Sequence, residues 1–226
     1  MGTKSDSKEI YVVKSEPDEE RTYHCEALAS RFPTATEIDY PAGERVPVDS
    51  AAAVVLTGST AAVYEPEQYP WVDDQQALIR RLVDRSVPTL GVCFGHQIAN
   101  AALGGTVEHV GMTAGLVEAD LGHQPLFEGV APVVPALHGD AVTALGDGME
   151  SIASAPHADI FASRHQSAPL WTVQFHPEIT AALEPRLTED FEWESGQWSF
   201  GDVTAEMVFE NFKSMAESAP AAADSP

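Results

Sequence analysis

TLGVCFGHQ, residues 89–97, places a cysteine between an apolar run and the start of a helical pattern. The run at 89–92 is short and almost wholly apolar, which is typical of a buried parallel strand. The helix should end at Gly104-Gly105, because glycine is favoured just past a helix C-terminus. Cys93 is therefore predicted to lie on a sharp turn at the carboxyl edge of a sheet.

The setting of Cys93 favours a reactive thiolate. Gly91 and Gly95 have no side chains to obstruct the turn or the approach of a substrate. A helix N-terminus stabilises the thiolate, which is the attacking species. The backbone N–H of Phe94 would then stabilise an oxyanion formed by that attack. A buried structural cysteine is the plain alternative, since free cysteine is among the most buried residue types, but the flanking pattern favours a nucleophile.

A second motif, QFHPE at 174–178, follows the apolar pattern of a strand. A thiol nucleophile needs an imidazole that accepts its proton and returns it to the leaving group, and His176 suits this role. Glu178 can hold the other ring nitrogen and fix the tautomer, as the acidic member of a catalytic triad does. A lone histidine after a strand would more often be structural. The combination with Cys93 distinguishes His176 from the other seven histidines.

Strand and helix patterns alternate through the first half of the chain, and short strands separated by Gly and Pro turns fill the region 106–175. We therefore predict an α/β fold, with a mainly parallel sheet, helices on both faces and added antiparallel strands in the second half. The predicted strands are 10–13, 53–56, 89–93, 116–119, 151–155 and 171–175. The predicted helices are 19–32, a helix opened by Pro70, one from Gly95 to Gly104, and 203–215. A single domain is expected at 9–216, with disordered tails at 1–8 and 217–226.

The formal net charge of −23 comes from 35 acidic and 12 basic residues, and the acidic residues are spread along the whole chain. A dispersed acidic excess predicts a highly solvated surface of the kind suited to a salt-rich cytoplasm, that is, a halophilic protein. It argues against nucleic-acid binding, which needs a basic patch. The sequence has no apolar stretch of membrane-spanning length and no secretory signal pattern, so we expect a cytoplasmic protein.

Taken together, GVCFGHQ (91–97) and QFHPE (174–178) resemble the two signatures of class I, triad-type glutamine amidotransferase domains. LTGS at 56–59 is similar to the loop after the oxyanion strand of that family. HGD at 138–140 is similar to the corresponding stretch of GMP synthase amidotransferase domains and their stand-alone relatives. The resemblance covers roughly 53–178, and it implies a flavodoxin-like class I amidotransferase fold. The TGST sequence of the loop at 57–60 departs from the Gly-Gly-Pro type of many synthase-fused members and matches the stand-alone branch more closely.

The resemblance implies a Cys93–His176–Glu178 triad that hydrolyses glutamine to glutamate through a cysteine thioester and passes ammonia to an acceptor. The Gly58–Ser59 backbone would supply an oxyanion donor besides Phe94. Gln97 matches a position near the glutamine pocket, although helix capping or packing explains it equally well. His138 and Asp140 would line the site edge or a partner interface, although a simple turn role is the favoured interpretation of the two. The sequence shows no phosphate-binding motif and we expect no cofactor, so a separate ATP-dependent synthase would have to activate the acceptor.

Three alternatives differ in class. A stand-alone hydrolase of γ-glutamyl amides would use the same triad with water as acceptor. A non-catalytic regulatory domain would not need all three triad positions. A metal enzyme is disfavoured, because the histidines lack a recognised ligand spacing. Aromatic residues are also concentrated at 191–200, where they either cover the edge of the sheet, which we favour, or form a lid or partner-docking patch.

Overall fold

The computed structural model describes residues 9–219, which form an eight-stranded sheet, a second sheet of two strands, and helices. The strands are β1 (Glu9–Lys14), β2 (Thr36–Asp39), β3 (Ala51–Leu56), β4 (Thr89–Val92), β5 (Thr106–Glu118), β6 (Asp120–Leu121), β7 (Val133–Ala144), β8 (Met149–Ala155), β9 (Ala158–His165) and β10 (Leu170–Val173). The α-helices are α1 (Tyr23–Ala29), α2 (Trp71–Asp84), α3 (Phe94–Ala102), α4 (Glu184–Phe191) and α5 (Met207–Ser218). None of the helices within 9–219 is long and apolar enough to cross a membrane.

The large sheet has the strand order β2-β1-β3-β4-β10-β9-β8-β6. Strands β2, β1, β3, β4 and β10 run parallel to one another, whereas β9 pairs antiparallel with β10, β8 with β9, and β6 with β8. The predicted fold class, a mainly parallel sheet with added antiparallel strands, is therefore confirmed. Strands β4 and β10 are adjacent and parallel, so the two sequence motifs leave the sheet side by side at its carboxyl edge.

Alternate residues of the central strands enter two separate cores. Val12 and Val55 face the core that contains α1 and α5, whereas Val13 and Leu56 face the core that contains α2 and α3. All four side chains are fully buried. A strand that is covered on both faces needs apolar residues at every position, which explains the continuous apolar runs in the sequence. The second sheet, β5 with β7, carries a third core cluster that includes Leu187 of α4.

The predicted boundaries differ from the structure at the first helix. Instead of one helix over 19–32, a 3₁₀ turn at Glu19–Arg21 precedes α1. The side chain of Asp18 accepts a hydrogen bond from the N–H of Glu20 and so caps this short turn. Pro33 disfavours helical backbone at the residue before it, and α1 ends at Ala29. Strand β2 and helix α4 were not predicted. In the region 106–175, where short strands were expected, β6, β7 and β9 had no predicted bounds, and β5 and β7 are long, with 13 and 12 residues.

The last helix starts later than predicted and ends later too. Residues 203–206 do not join it, because Val203 bridges to Val133 and Thr204 binds the loop before β7. Glu217 and Ser218, which the sequence assigned to a disordered tail, form the last turn of α5. The remaining parts of the predicted tails, 1–8 and 220–226, lie outside the described residues.

The aromatic residues of the 191–200 segment pack against the second sheet. Trp193 is 4% exposed and stacks on Phe200 with ring centroids 6.2 Å apart. The backbone of Glu194 donates to the carbonyl of Ala114 at 3.1 Å and bridges to Gly115 of β5. The favoured interpretation, in which these rings cover a sheet, agrees with this packing.

Candidate active site

Cys93 lies on the tight turn between β4 and α3. Its backbone has φ 53° and ψ −104°, in the region that side chains rarely adopt. Its N–H donates to the carbonyl of Val173 at 2.8 Å, which fixes the turn to β10. A Cβ on Gly91 would lie 2.5 Å from the carbonyl oxygen of Gly95, and one on Gly95 would lie 2.7 Å from that of Leu56. Glycine is therefore required at both positions for the turn to close.

The thiol of Cys93 points toward strand β7 and the end of β10. Its Sγ lies 3.5 Å from the carbonyl oxygen of Leu137 and 3.6 Å from Nε2 of Gln174, which can donate to it. The residue is 5% exposed and lines the adjoining pocket. Gln174 belongs to the second motif, but no feature of the sequence predicts that its amide lies against the sulfur.

His176 follows β10 and is held between two acceptors. Its Nδ1 lies 2.6 Å from Oε1 of Glu178, and its Nε2 lies 3.0 Å from the carbonyl oxygen of Leu137. A neutral imidazole can donate from one nitrogen only, so acceptors at both nitrogens favour the imidazolium. Burial works to lower the pKa of His176, but negative charge on Glu178 and Cys93 outweighs burial and raises that pKa well above its ordinary value.

Thiol and imidazole therefore converge on the same carbonyl group, that of Leu137, at 3.5 Å and 3.0 Å. Glu178 is 2% exposed and lies behind the imidazole. Its Oε2 has no hydrogen-bond partner within the described residues, so Nδ1 of His176 is the one group there that donates a hydrogen bond to this carboxylate. A buried carboxylate with one partner strongly fixes the orientation of that partner.

The loop after β3 approaches the imidazole from the other side. A Cβ on Gly58 would lie 3.1 Å from Cε1 of His176, so the backbone at Gly58 is in close contact with the ring. Ser59 lines the pocket, and its side chain accepts from the N–H of Ala61 at 3.0 Å. The N–H of Phe94 is the first amide of α3, where helix amides have no acceptor within the helix. These positions are compatible with the predicted oxyanion donors, whose role stays a prediction.

A pocket of about 380 Å³ opens beside Cys93. Of the residues selected from the sequence, it is lined by Cys93, Ser59, Gln97, His138, Asp140 and His176. Glu178, Gly58 and Phe94 do not line it; they lie behind its wall. The structure thus brings six of the nine selected residues to one cavity and places the other three against it. A cavity of this size is large enough for an amino acid.

Gln97 and Gln174 form a chain of amides along the pocket wall. Nε2 of Gln97 donates to the carbonyl of Asp140 at 2.9 Å and to Oε1 of Gln174 at 3.3 Å. The amide of Gln174 reaches Cys93 in turn. Gln97 therefore agrees with both interpretations considered from the sequence. It lines the pocket, and its side chain also packs within the fold through hydrogen bonds to Asp140 and Gln174.

His138 and Asp140 lie at the mouth of the pocket. Nδ1 of His138 donates to the backbone carbonyl of Asp140 at 3.0 Å, and its Nε2 lies 3.1 Å from Nε2 of His157. The carboxylate of Asp140 accepts from the hydroxyl of Tyr64 at 3.1 Å and from Nδ1 of His109 at 3.0 Å. Burial lowers the pKa of His138 to about 4, so this histidine is neutral at pH 7.

A second buried histidine–carboxylate pair, not selected from the sequence, lies next to the first. Nε2 of His24 is 3.2 Å from Oε2 of Glu16, and the rings of His24 and His176 are 6.2 Å apart. Burial works to lower the pKa of His24, but charge and hydrogen bonds from Cys25 and Glu16 raise it to about 10. The only sequence signal is a Glu and a His eight residues apart, which is not distinctive without the fold.

The arrangement contains the parts of a nucleophilic acyl-transfer site. It offers a thiol on a sharp turn, an imidazole that can carry a proton and is oriented by a carboxylate, and backbone amides nearby. Within residues 9–219, no three His, Cys, Asp or Glu side chains are grouped as metal ligands would be.

Comparisons with known proteins identify the family of this chain. The family described as "Glutamine amidotransferase class-I" matches residues 20–194. A GMP synthase [glutamine-hydrolyzing] of Mycolicibacterium paratuberculosis is 34% identical over 173 residues, which cover 73% of this chain and 32% of that protein. The chain thus spans about a third of the length of this curated relative.

Solved structures show the same fold at lower identity. A glutamine amidotransferase from Thermotoga maritima superposes with a TM-score of 0.70 at 20% identity, over 93% of this chain and 92% of its own. A glutamine amidotransferase from Methylobacillus flagellatus superposes with a TM-score of 0.71 at 18% identity, over 92% of this chain and 94% of its own. The fold, the two motifs and the match over 20–194 together show that this chain belongs to the class I glutamine amidotransferase family.

Proposed function

We propose that this chain hydrolyses the side-chain amide of glutamine to glutamate and ammonia, with Cys93 as nucleophile, His176 as proton carrier and Glu178 as its orienting carboxylate. The observation that carries the proposal is the convergence of the Cys93 thiol and the His176 imidazole on the carbonyl of Leu137, with Glu178 bound to the far ring nitrogen at 2.6 Å. Membership of the class I family supports the same chemistry.

In the proposed reaction, the thiol proton of Cys93 has already passed to His176, and the thiolate Sγ forms a bond to Cδ of glutamine while the carbonyl electron pair moves to oxygen. The amide C–N bond then breaks, and the imidazolium gives its proton to the departing ammonia. The resulting glutamyl thioester is attacked by a water molecule, whose proton passes to His176. The C–S bond breaks and glutamate leaves, which restores the thiolate of Cys93 and the imidazolium of His176. The sum is glutamine and water to glutamate and ammonia.

Each attack places a negative charge on the former carbonyl oxygen. We propose that the backbone N–H of Phe94 and the Gly58–Ser59 backbone stabilise this oxyanion, because both lie beside the turn that carries the sulfur. Gln97 and Asp140, which also line the pocket, would contact the amino-acid end of glutamine.

The ammonia is proposed to serve an ATP-dependent synthase of the GMP synthase kind on a separate subunit. Support comes from the curated relative named GMP synthase [glutamine-hydrolyzing], which matches this chain over 32% of its own length. A synthase supplies the activated acceptor with which ammonia reacts, and its presence would raise the rate of glutamine hydrolysis.

The test is ammonia release from glutamine by the purified chain in concentrated KCl, with Cys93→Ala as its control. We expect release by wild type and none by the variant, whose circular dichroism should stay unchanged. Equal release by both would contradict the role of Cys93. No release from glutamine, together with release from another γ-glutamyl amide, would assign the triad to a different substrate.

A further inference from the structure

Three side chains of the segment 15–25, those of Glu16, His24 and Cys25, contact the loop at 57–60. This loop lies between them and the triad. Oε2 of Glu16 accepts from the backbone N–H of Thr60 at 2.8 Å, and Oε1 accepts from its hydroxyl at 2.6 Å. Sγ of Cys25 lies 3.2 Å from Oγ1 of Thr57. Between these two anchors, a Cβ on Gly58 would lie 3.4 Å from Cε1 of His24.

Glu16 is an unusual residue to find there. Its side chain is completely buried, although an isolated carboxylate is costly to bury. Four donors compensate this cost, since the N–H of Asp18 and Nε2 of His24 also bind it, at 2.9 Å and 3.2 Å. Two of the four donors belong to Thr60. The carboxylate thus connects α1 to the loop that we propose as the oxyanion loop.

The short distance between His24 and His176 argues against a purely structural role for the Glu16–His24 pair. Two imidazole rings whose pKa values are both raised lie edge to face at 6.2 Å, and each charge opposes the other. A buried apolar contact would hold the loop without that repulsion. The Glu16–His24 pair instead offers hydrogen bonds of defined direction. Hydrogen bonds to a charged group fix the position of a peptide unit more tightly than apolar packing does.

We propose that Glu16, supported by His24, is a positioning residue that holds the 57–60 loop so that its backbone can stabilise the oxyanion formed on glutamine. The inference rests on the proposed function and names a part of that site outside the triad. Neither residue touches the reacting atoms in this role; both act through the position of Gly58 and Ser59.

Glu16→Gln is the sharpest variant. Each carboxylate oxygen of Glu16 accepts from two donors, so a glutamine in either orientation turns its NH₂ group toward two N–H or O–H groups. Thr60→Val is the milder variant, because it removes only the hydroxyl donor from an exposed residue. Thr36→Val is the matched control: it removes a similar hydroxyl-to-carboxylate bond, 3.1 Å from Glu9, on the edge strand β2.

Two rates are measured for each variant: glutamine turnover, and alkylation of Cys93 by iodoacetamide followed by peptide mass. Alkylation needs the thiolate but forms no oxyanion, so it reports on Cys93 and His176 alone. Removal of a true oxyanion donor costs 10²- to 10³-fold, so a displaced loop should lower kcat by about tenfold in Glu16→Gln and less in Thr60→Val. KM for glutamine and the alkylation rate should change by less than about twofold, and Thr36→Val should behave as wild type.

The inference is overturned if both loop variants keep the wild-type kcat, or if turnover and alkylation fall in parallel, which would place the effect on the thiol and imidazole. If Glu16→Gln does not fold, Thr60→Val decides by the same criteria. A wild-type chain that releases no ammonia would overturn the proposed function and this inference together. An active wild type with equally active variants would overturn the inference alone.

Discussion

At the scale of single residues, the hydrogen bonding of His176 leads to a prediction for Glu178. Replacing Glu178 by Gln keeps the shape but removes the carboxylate that raises the pKa of His176 and fixes its tautomer. We expect kcat to fall by about 10²- to 10⁴-fold, the range that general acid–base catalysis contributes. Because the charge of Glu178 raises the pKa of His176, its loss should lower that pKa.

This prediction is checked by the pH dependence of kcat/KM for ammonia release. His176 must be protonated to release ammonia, so the alkaline limb of the profile should move to lower pH in Glu178→Gln. Glu189→Gln, at an exposed position of α4, is the control and should leave the profile unchanged. An unshifted alkaline limb in Glu178→Gln would show that Glu178 does not control the protonation of His176.

His24 gives a prediction about stability. Its pKa rises from 6.5 to about 10 on folding, so protonation favours the folded state. This contribution is fully present below pH 6.5 and is lost as the pH rises from 6.5 through about 10. His24→Gln should therefore lower the free energy of unfolding more at pH 6 than near pH 10, as measured by urea unfolding in constant KCl.

The exposed His123 provides the control for this pH dependence. His123→Gln should differ little from wild type at either pH, because the side chain is not enclosed by the fold. If the effect of His24→Gln were the same at both ends of the pH range, its pKa would not differ between folded and unfolded chains.

The site residues that the sequence revealed are those with a local signature. Cys93 is flanked by glycines at a strand–helix junction, and His176 precedes a proline and a glutamate. Glu16 and His24 could not be found in that way, because their role depends on contacts with a loop more than thirty residues away. The carbonyl of Leu137 carries no side-chain signal at all.

At the scale of secondary-structure elements, the docking of the 191–200 segment depends on Gly115. This glycine of β5 lies against the backbone of Glu194, with no room between them for a Cβ. Gly115→Ala should push the segment away and expose Trp193, at a cost of about 1–3 kcal/mol, which is typical of overpacking. Urea unfolding would measure the loss, and tryptophan fluorescence would report the exposure of Trp193.

Gly201→Ala is the matched control within the same part of the chain. A Cβ at Gly201 would meet only Oγ of Ser199, at 3.4 Å, which is ordinary contact. Its stability should stay within about 0.5 kcal/mol of wild type, as is usual for surface substitutions. Equal stability of the two variants would mean that the segment is not held through Gly115.

The elements that the sequence predicted well are those buried on both faces. Strands β3 and β4 are continuous apolar runs because two helix layers cover them. Strand β2 and helix α4 gave no clear pattern, because each has a single buried residue, Ile38 and Leu187 respectively. Elements at the rim of the fold, such as β2 and α4, bury one side chain each, and one buried residue is too few to show a hydrophobic periodicity.

At the scale of the whole molecule, the acidic residues are distributed unevenly, with few in the interior and most at the surface. Within residues 9–219, the buried acidic residues are Glu16 and Glu178, and each is bound to a histidine with a raised pKa. The other described acidic side chains lie at or near the surface, which therefore carries most of the negative excess behind the net charge of −23. Such a surface repels itself more strongly in the compact state than in the unfolded chain.

Salt should therefore stabilise this protein, because the Debye length shrinks from about 10 Å at 0.1 M to about 3 Å at 1 M and repulsion between surface carboxylates is screened. We expect the Tm to rise steeply as KCl is raised to about 1 M and more slowly beyond it, since screening saturates. The triple variant Glu67→Gln, Asp84→Asn, Asp159→Asn removes three exposed carboxylates outside the site and should show a shallower rise. A Tm that falls with KCl would contradict the halophilic interpretation of the composition. A rise of equal slope in the variant would instead assign the stabilisation to exclusion of salt from the protein surface.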